Sequence, residues 1–301
     1  MGAPAETPNP TALAKSILRN EADTELILED ELVWRLFPEE MERLKKEFEK
    51  RAQEKGGEPP AFIIAPTYMK LYWLAMCLKK LKKFEYARKI LNRAREYVKK
   101  EVEHQRRQKW QIKIIQQRAL CTYKDTYLSP DARLDNALDI LKELQDLQPV
   151  PDQETLGLKG GIYKRKWEAD GNKQFLEMSL SYYYQGYKKG IADDYGYTSI
   201  NAAYVLDLLA NIVLEEAEVT GGPYTSATKC IRLARKIRGE IKRELDTLSK
   251  ADPGLLDEWW FLTTLAEACF GRQDADCSTG AIQPYRGRGC LRLEGDDRAA
   301  G

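Results

Sequence analysis

Histidine is almost absent: the 301-residue chain holds one, His104. That count excludes zinc sites built on two or three histidines. A Ser-His-Asp triad would have to use His104, which sits among Glu101, Glu103, Arg106 and Arg107 and reads as a solvated surface residue. The six cysteines, Cys77, Cys121, Cys230, Cys269, Cys277 and Cys290, form no Cys-x-x-Cys pair and no regular framework. Reduced, mostly buried thiols are expected. No run of about 18 apolar residues is evident, so no membrane span is expected. Met1 to Pro10 lack a basic stretch followed by an apolar core, so no secretory signal is read there. Together these point to a cytoplasmic protein. Strand signals are nearly missing. The short apolar run Ala61–Ala65 could be one, but a segment entering a helix after Pro66 fits as well.

Several constellations also lack a member. Gly157, Gly160 and Gly161 are not followed by Gly-Lys-Ser/Thr, so they make no phosphate loop; close helix contact suits them better. Asp193 and Asp194 have no third ligand at a standard spacing and read as loop carboxylates or a helix cap. No catalytic residue, metal site or cofactor is expected, and the chain reads as a non-enzyme.

What is present is charge, unevenly spread. The formal net charge is +1, which exerts no global pull on nucleic acid or membrane. Yet Lys79 to Arg118 holds 15 Lys or Arg against 4 Glu, while the first 60 residues hold 14 acids against 9 bases. The simplest expectation is a solvated helix face paired locally with the acidic N-terminal helix. The sharper readings are an acidic protein partner or, second, a nucleic acid. Tyr97 and Trp110 are the few aromatics placed to stack on bases, and both also suit a core.

A repeat organises the chain. Leu71, Leu74, Ala75 and Leu78, then Phe84, Ala87, Leu91 and Ala94, match the two helices of a tetratricopeptide unit. Small residues are needed where two helices approach closely, and large ones fill the space beside them. The second-helix pattern recurs at Leu134, Ala137, Leu141 and Leu144, at Leu176, Ser179, Tyr183 and Gly186, and at Tyr224, Ala227, Ile231 and Ala234. The small positions Ala87, Ala137, Ser179 and Ala227 are 50, 42 and 48 residues apart. First helices are expected over Trp110–Tyr127, Thr155–Trp167, Tyr197–Glu216 and about Leu255–Phe270.

The expected fold is therefore all-α, a right-handed solenoid of tetratricopeptide-like helix pairs. Residues 1–25 are expected as a flexible leader and 26–65 as a charged helical cap, with Met41, Leu44 and Phe48 on one face. Residues 66–270 make the solenoid of about four and a half pairs. Residues 271–301 carry Gly280, Pro284, Gly287 and Gly289 and read as a disordered tail, as in a truncated or frame-altered form of a longer solenoid.

The middle third carries more specific motifs: Gly160, Ile162, Tyr163 and Lys164, then an aromatic helix ending SLSYYYQGYKKG, then Ile200 and Asn201. It resembles the tetratricopeptide-like TRAF-binding regulatory region of mitogen-activated kinase kinase kinases and its bacterial relatives. No kinase segment accompanies it: there is no Gly-rich loop, His-Arg-Asp or Asp-Phe-Gly. The resemblance implies a regulatory, scaffold-like role.

The helical period turns Gly160 and Tyr163 into the helix-pair core, and Gly161, Lys164 and Arg165 to the other, groove-facing side. Asn201 is expected in the same groove. Two cations and an amide suit a carboxylate or an acidic peptide, because Arg grips a carboxylate with two parallel hydrogen bonds. The plain alternative is that Lys164 and Arg165 are surface charges paired with Glu168. Tyr183 and Tyr187 share a helix face and read as core, which leaves Tyr184 to reach a partner. Lys164, Arg165, Asn201 and Tyr184 are the candidate partner-binding residues.

Overall fold

The computed structural model describes residues 9–19, 24–54, 64–101 and 104–271. Among them all regular structure is helical, as expected. The chain divides into two compact units, Met1–Pro149 and Val150–Gly301. The sequence reading drew one solenoid over 66–270; the boundary between the units falls at the prolines 149 and 151.

The first unit holds α1 (Pro10–Arg19), α2 (Thr24–Ile27), α3 (Asp30–Leu36), α4 (Pro38–Glu54), α5 (Thr67–Lys80), α6 (Phe84–Glu101), α7 (His104–Lys124) and α8 (Pro130–Lys142). From α5 onward each helix packs on the next, the nearest-neighbour logic of a helical repeat. Ile64–Pro66 enter α5 without forming a strand. Pro130 opens α8, and the Ser129 hydroxyl accepts from the Ala132 amide, closing the helix start. The expected leader is corrected in part: Pro10–Arg19 is helical. The Asn9 side chain accepts from the Thr11 amide and Pro10 takes the first helical position. Leu13, Ala14 and Ile17 form an apolar face that packs toward α5 and α6. Within 26–65, Met41 and Leu44 of α4 are buried and Phe48 is half-buried, on the face the pattern predicts.

The second unit holds α9 (Gln153–Asp170), α10 (Lys173–Lys189), α11 (Tyr197–Thr220), α12 (Thr225–Ala251), a short 3-10 turn (Pro253–Asp257) and α13 (Trp259–Phe270). Asp152 caps α9 and Asn172 caps α10. Asp194, read as a loop carboxylate or cap, accepts from the amide and hydroxyl of Thr198 and so fixes the start of α11. Gly221 ends α11 at φ 69°, a left-handed conformation that a glycine adopts without strain.

By length and composition α11 is the one described helix able to cross a membrane, although no such run was expected. Half of its apolar window is buried inside the fold. Ala202, Ala203, Val205, Leu206 and Leu209 build the second unit's core, so α11 is read as a core helix.

The register of the repeat is visible in burial. Ala87, Ala137, Ser179 and Ala227, on α6, α8, α10 and α12, are each 0% exposed. They sit where the first and second helices of a pair touch. Cys77, Cys121 and Cys230 are free thiols, as expected, whereas Cys269 is disulfide-bonded. The side chain of His104, and the expected tail beyond Gly271, lie outside the described residues.

Candidate functional site

The candidate residues lie in the second unit, and α9 places most of them. One side of α9 meets α10. There the Ser179 hydroxyl donates to the Gly160 carbonyl at 2.8 Å, and the Tyr163 ring stacks on Tyr182 with centroids 5.5 Å apart. Gly160 and Tyr163 are thus turned into the helix pair, as the period predicts. The next side of α9 meets α11, where Gly157 lies against Tyr197 and Thr198.

Seven residues further along that side, Lys164 donates to the Asn201 amide oxygen at 3.5 Å, and its ammonium lies 5.4 Å from the centroid of Tyr204. Asn201 in turn donates to the Tyr197 carbonyl at 2.9 Å, which holds its oxygen toward Lys164. Lys164 and Asn201 are therefore brought together across two helices, as expected. Tyr204, which the sequence reading missed, is 48% exposed and joins them. Its signal was available in retrospect: it follows Asn201 by three residues on the same helix.

The other two candidates stand differently. Arg165 pairs with Glu168 at 2.7 Å, with both side chains about a third exposed. Such an exposed pair contributes about 0–1 kcal/mol and yields readily to a competing carboxylate. Tyr184 leans along α10 onto Tyr187, centroids 5.4 Å apart, with the Lys188 ammonium over its ring, and packs half-buried on the core. The structure groups it with Tyr187 and Lys188 rather than with Lys164 and Asn201. The reason is helical: Tyr187 and Lys188 follow it by three and four residues, the positions that share its face.

The basic stretch of the first unit is paired in part within the unit. Arg88 pairs with the buried Asp125 at 3.0 Å, Arg95 with Glu143 at 2.6 Å and Arg118 with Glu143 at 3.4 Å. Lys89 and Arg93 pair with Glu85 and Glu96 on their own helix, and Lys79 donates to Gln117. Among the described residues these counter-charges come from α6 and from the turns flanking α8. Trp110 packs edge-on against Tyr68 and Tyr72, a core contact.

Residues 83–206 match the family model Tetratricopeptide Repeats-Sensor. The matched stretch runs from just before α6 into α11 and contains Lys164, Arg165, Asn201, Tyr184 and Tyr204. The repeat is tetratricopeptide-like, as its spacing indicates. Repeats of this type are generally non-catalytic modules for protein interaction or sensing. No curated protein matches the chain.

Proposed function

We propose that the chain is a non-catalytic protein-binding scaffold or regulatory module in signalling, and that an acidic segment of its partner docks on α9 and α11 at Lys164, Arg165, Asn201 and Tyr204. The observation that carries this reading is the Lys164 ammonium, held beside the Asn201 amide and over the exposed Tyr204 ring. A cation fixed by an aromatic face is preorganised, so little side-chain entropy is lost when a carboxylate arrives. The Tyr204 ring offers apolar area beside the charge. The resemblance of the Gly160–Lys164 and Ile200–Asn201 motifs to the TRAF-binding regulatory region of mitogen-activated kinase kinase kinases supports a regulatory role.

A nucleic-acid-binding solenoid using residues 79–118 is the second reading. It is weakened by the internal pairing of Arg88, Arg95 and Arg118, which leaves fewer cations for phosphates. Binding measured against salt separates the two, using acidic peptides and single-stranded oligonucleotides as probes. The proposal expects peptide binding with a shallow salt dependence of about one or two charges. Tighter binding to the oligonucleotide, falling steeply with salt, would replace it with the second reading.

A further inference from the structure

Helix α1 packs toward α6 through Leu13, Ala14 and Ile17, and the flank beside that face is basic. Lys15, Leu18 and Arg19 of α1 and Tyr86 and Lys89 of α6 line one open groove of about 360 Å³. The Lys15 ammonium lies 5.7 Å from the centroid of the Tyr86 ring, which ties the two helices together across it. The ring attracts the cation and holds it in place. Arg19 follows Lys15 by four residues and Lys89 follows Tyr86 by three, spacings that put neighbouring side chains on one helix face. All three cations are exposed.

Charge selects what the groove can hold. Lys89 pairs with Glu85 of its own helix at 2.5 Å. Lys15 and Arg19 make no ion pair among the described residues, and no carboxylate is among the side chains that line the groove. Two positive charges are therefore left uncompensated at one place, and a single carboxylate would answer one of them. A phosphate monoester carries about 1.5 to 2 negative charges near neutral pH and three acceptor oxygens, which answers both. The forked guanidinium of Arg19 can grip two of those oxygens, and the compact ammonium groups can meet the third. Size and lining select the rest of the ligand. A water molecule takes up about 30 Å³ of the liquid, so the groove has room for more than a bare phosphate. Its apolar side is Leu18 and the Tyr86 ring, which suits a flat aromatic body.

We infer that the groove between α1 and α6 binds an aryl phosphate, with the phosphate at Lys15, Arg19 and Lys89 and the ring against Leu18 and Tyr86. The group is either a phosphotyrosine side chain of a peptide or a free small ester. The groove shares no residue with the proposed face on α9 and α11, so failure of either leaves the other standing.

The test follows side-chain resonances of the full chain by NMR as phenyl phosphate is added at constant ionic strength, with chloride as the balancing anion. Lys15 and Arg19 should shift saturably, and Lys80, an exposed lysine at the end of α5, should not. Phenyl phosphate should bind about tenfold tighter than either inorganic phosphate or benzoate. Arg19→Gln should weaken phenyl phosphate about tenfold with an unchanged helical spectrum, because the side chain is exposed. Equal responses at Lys80 and Lys15, or full affinity in Arg19→Gln, would overturn the site. Benzoate binding as tightly as phenyl phosphate would overturn the assignment to phosphate, and inorganic phosphate binding as tightly would overturn the aromatic part. A phosphotyrosine peptide then distinguishes the source. Binding about tenfold tighter than phenyl phosphate supports a peptide-borne group, and equal binding supports the free ester.

Discussion

Gly160 lies against the ring of Tyr183 so closely that a Cβ on it would come within 2.8 Å of the ring carbon Cγ. Three ring carbons sit below 3.0 Å from that position, and Tyr183 itself is 1% exposed and cannot swing away. The neighbouring Gly161 is different: its Cβ would meet only the Tyr183 hydroxyl, at 3.4 Å. Replacing a helical glycine by alanine otherwise gains about 1 kcal/mol of helix propensity. Gly160→Ala should therefore destabilise the chain by about 1–3 kcal/mol through overpacking. Gly161→Ala should be neutral or stabilising. Urea denaturation of the two variants checks the contrast, and equal effects would mean that α9 and α10 are not packed through Gly160.

The repeat register makes a second prediction. Ala87 and Ala227 are fully buried where α6 and α12 meet their first helices. Ala87→Leu and Ala227→Leu should each cost about 1–3 kcal/mol. Thermal melts are sufficient, and an unchanged midpoint for both would place the register elsewhere.

A third prediction concerns alkaline pH. The Tyr187 hydroxyl donates to Glu240 at 2.6 Å. Its pKa is raised, first by burial, then by the hydrogen bond and the negative charge of Glu240. The folded state therefore keeps the proton at pH values where the unfolded tyrosine, with a pKa of about 10, has lost it. This contribution is intact below about pH 10 and is lost as pH rises toward the folded pKa. Tyr187→Phe should flatten that part of the decline in stability between about pH 9 and pH 12, measured by urea denaturation at each pH. An identical decline in both proteins would contradict the role given to this pair.

Thiol chemistry supplies a fourth. Burial pushes the Cys121 thiol up to about 12. Cys77 and Cys230, half-buried free thiols, are raised by less complete burial. Brief alkylation of the native chain near neutral pH, read by mass spectrometry, should label Cys77 and Cys230 and spare Cys121. Unfolding in urea should expose Cys121. Rapid native labelling of Cys121 would show that the contact of α7 with its neighbours opens readily.

What the sequence made legible was whatever is periodic along one helix. Ala87, Ala137, Ser179 and Ala227 could be aligned because a close helix contact demands a small residue at one fixed position of each unit. Helix α1 was hidden because the residues before it are rich in Pro and Ala, although Leu13 and Ile17 already stood one helical turn apart. Contacts between helices were not legible. Arg95 and Glu143 are far apart in sequence, as are Tyr72 and Trp110, and no local pattern announces either pair. Lys164 and Asn201 could be joined only because the register of two first helices was fixed independently. Tyr184 went astray because its alternation with Tyr183 does not show that Tyr187 and Lys188 cover it.

The central claim is that a partner is recognised on α9 and α11. The most direct measurement is capture of partner proteins by the full chain and by a Lys164→Glu, Arg165→Glu variant, compared by quantitative mass spectrometry. Circular dichroism and thermal melts of both proteins accompany it. The account predicts that the variant loses the captured partners while its helical signal and melting midpoint stay nearly unchanged, because both side chains reach solvent and neither supports the core. Capture of the same partners at equal yield would contradict it.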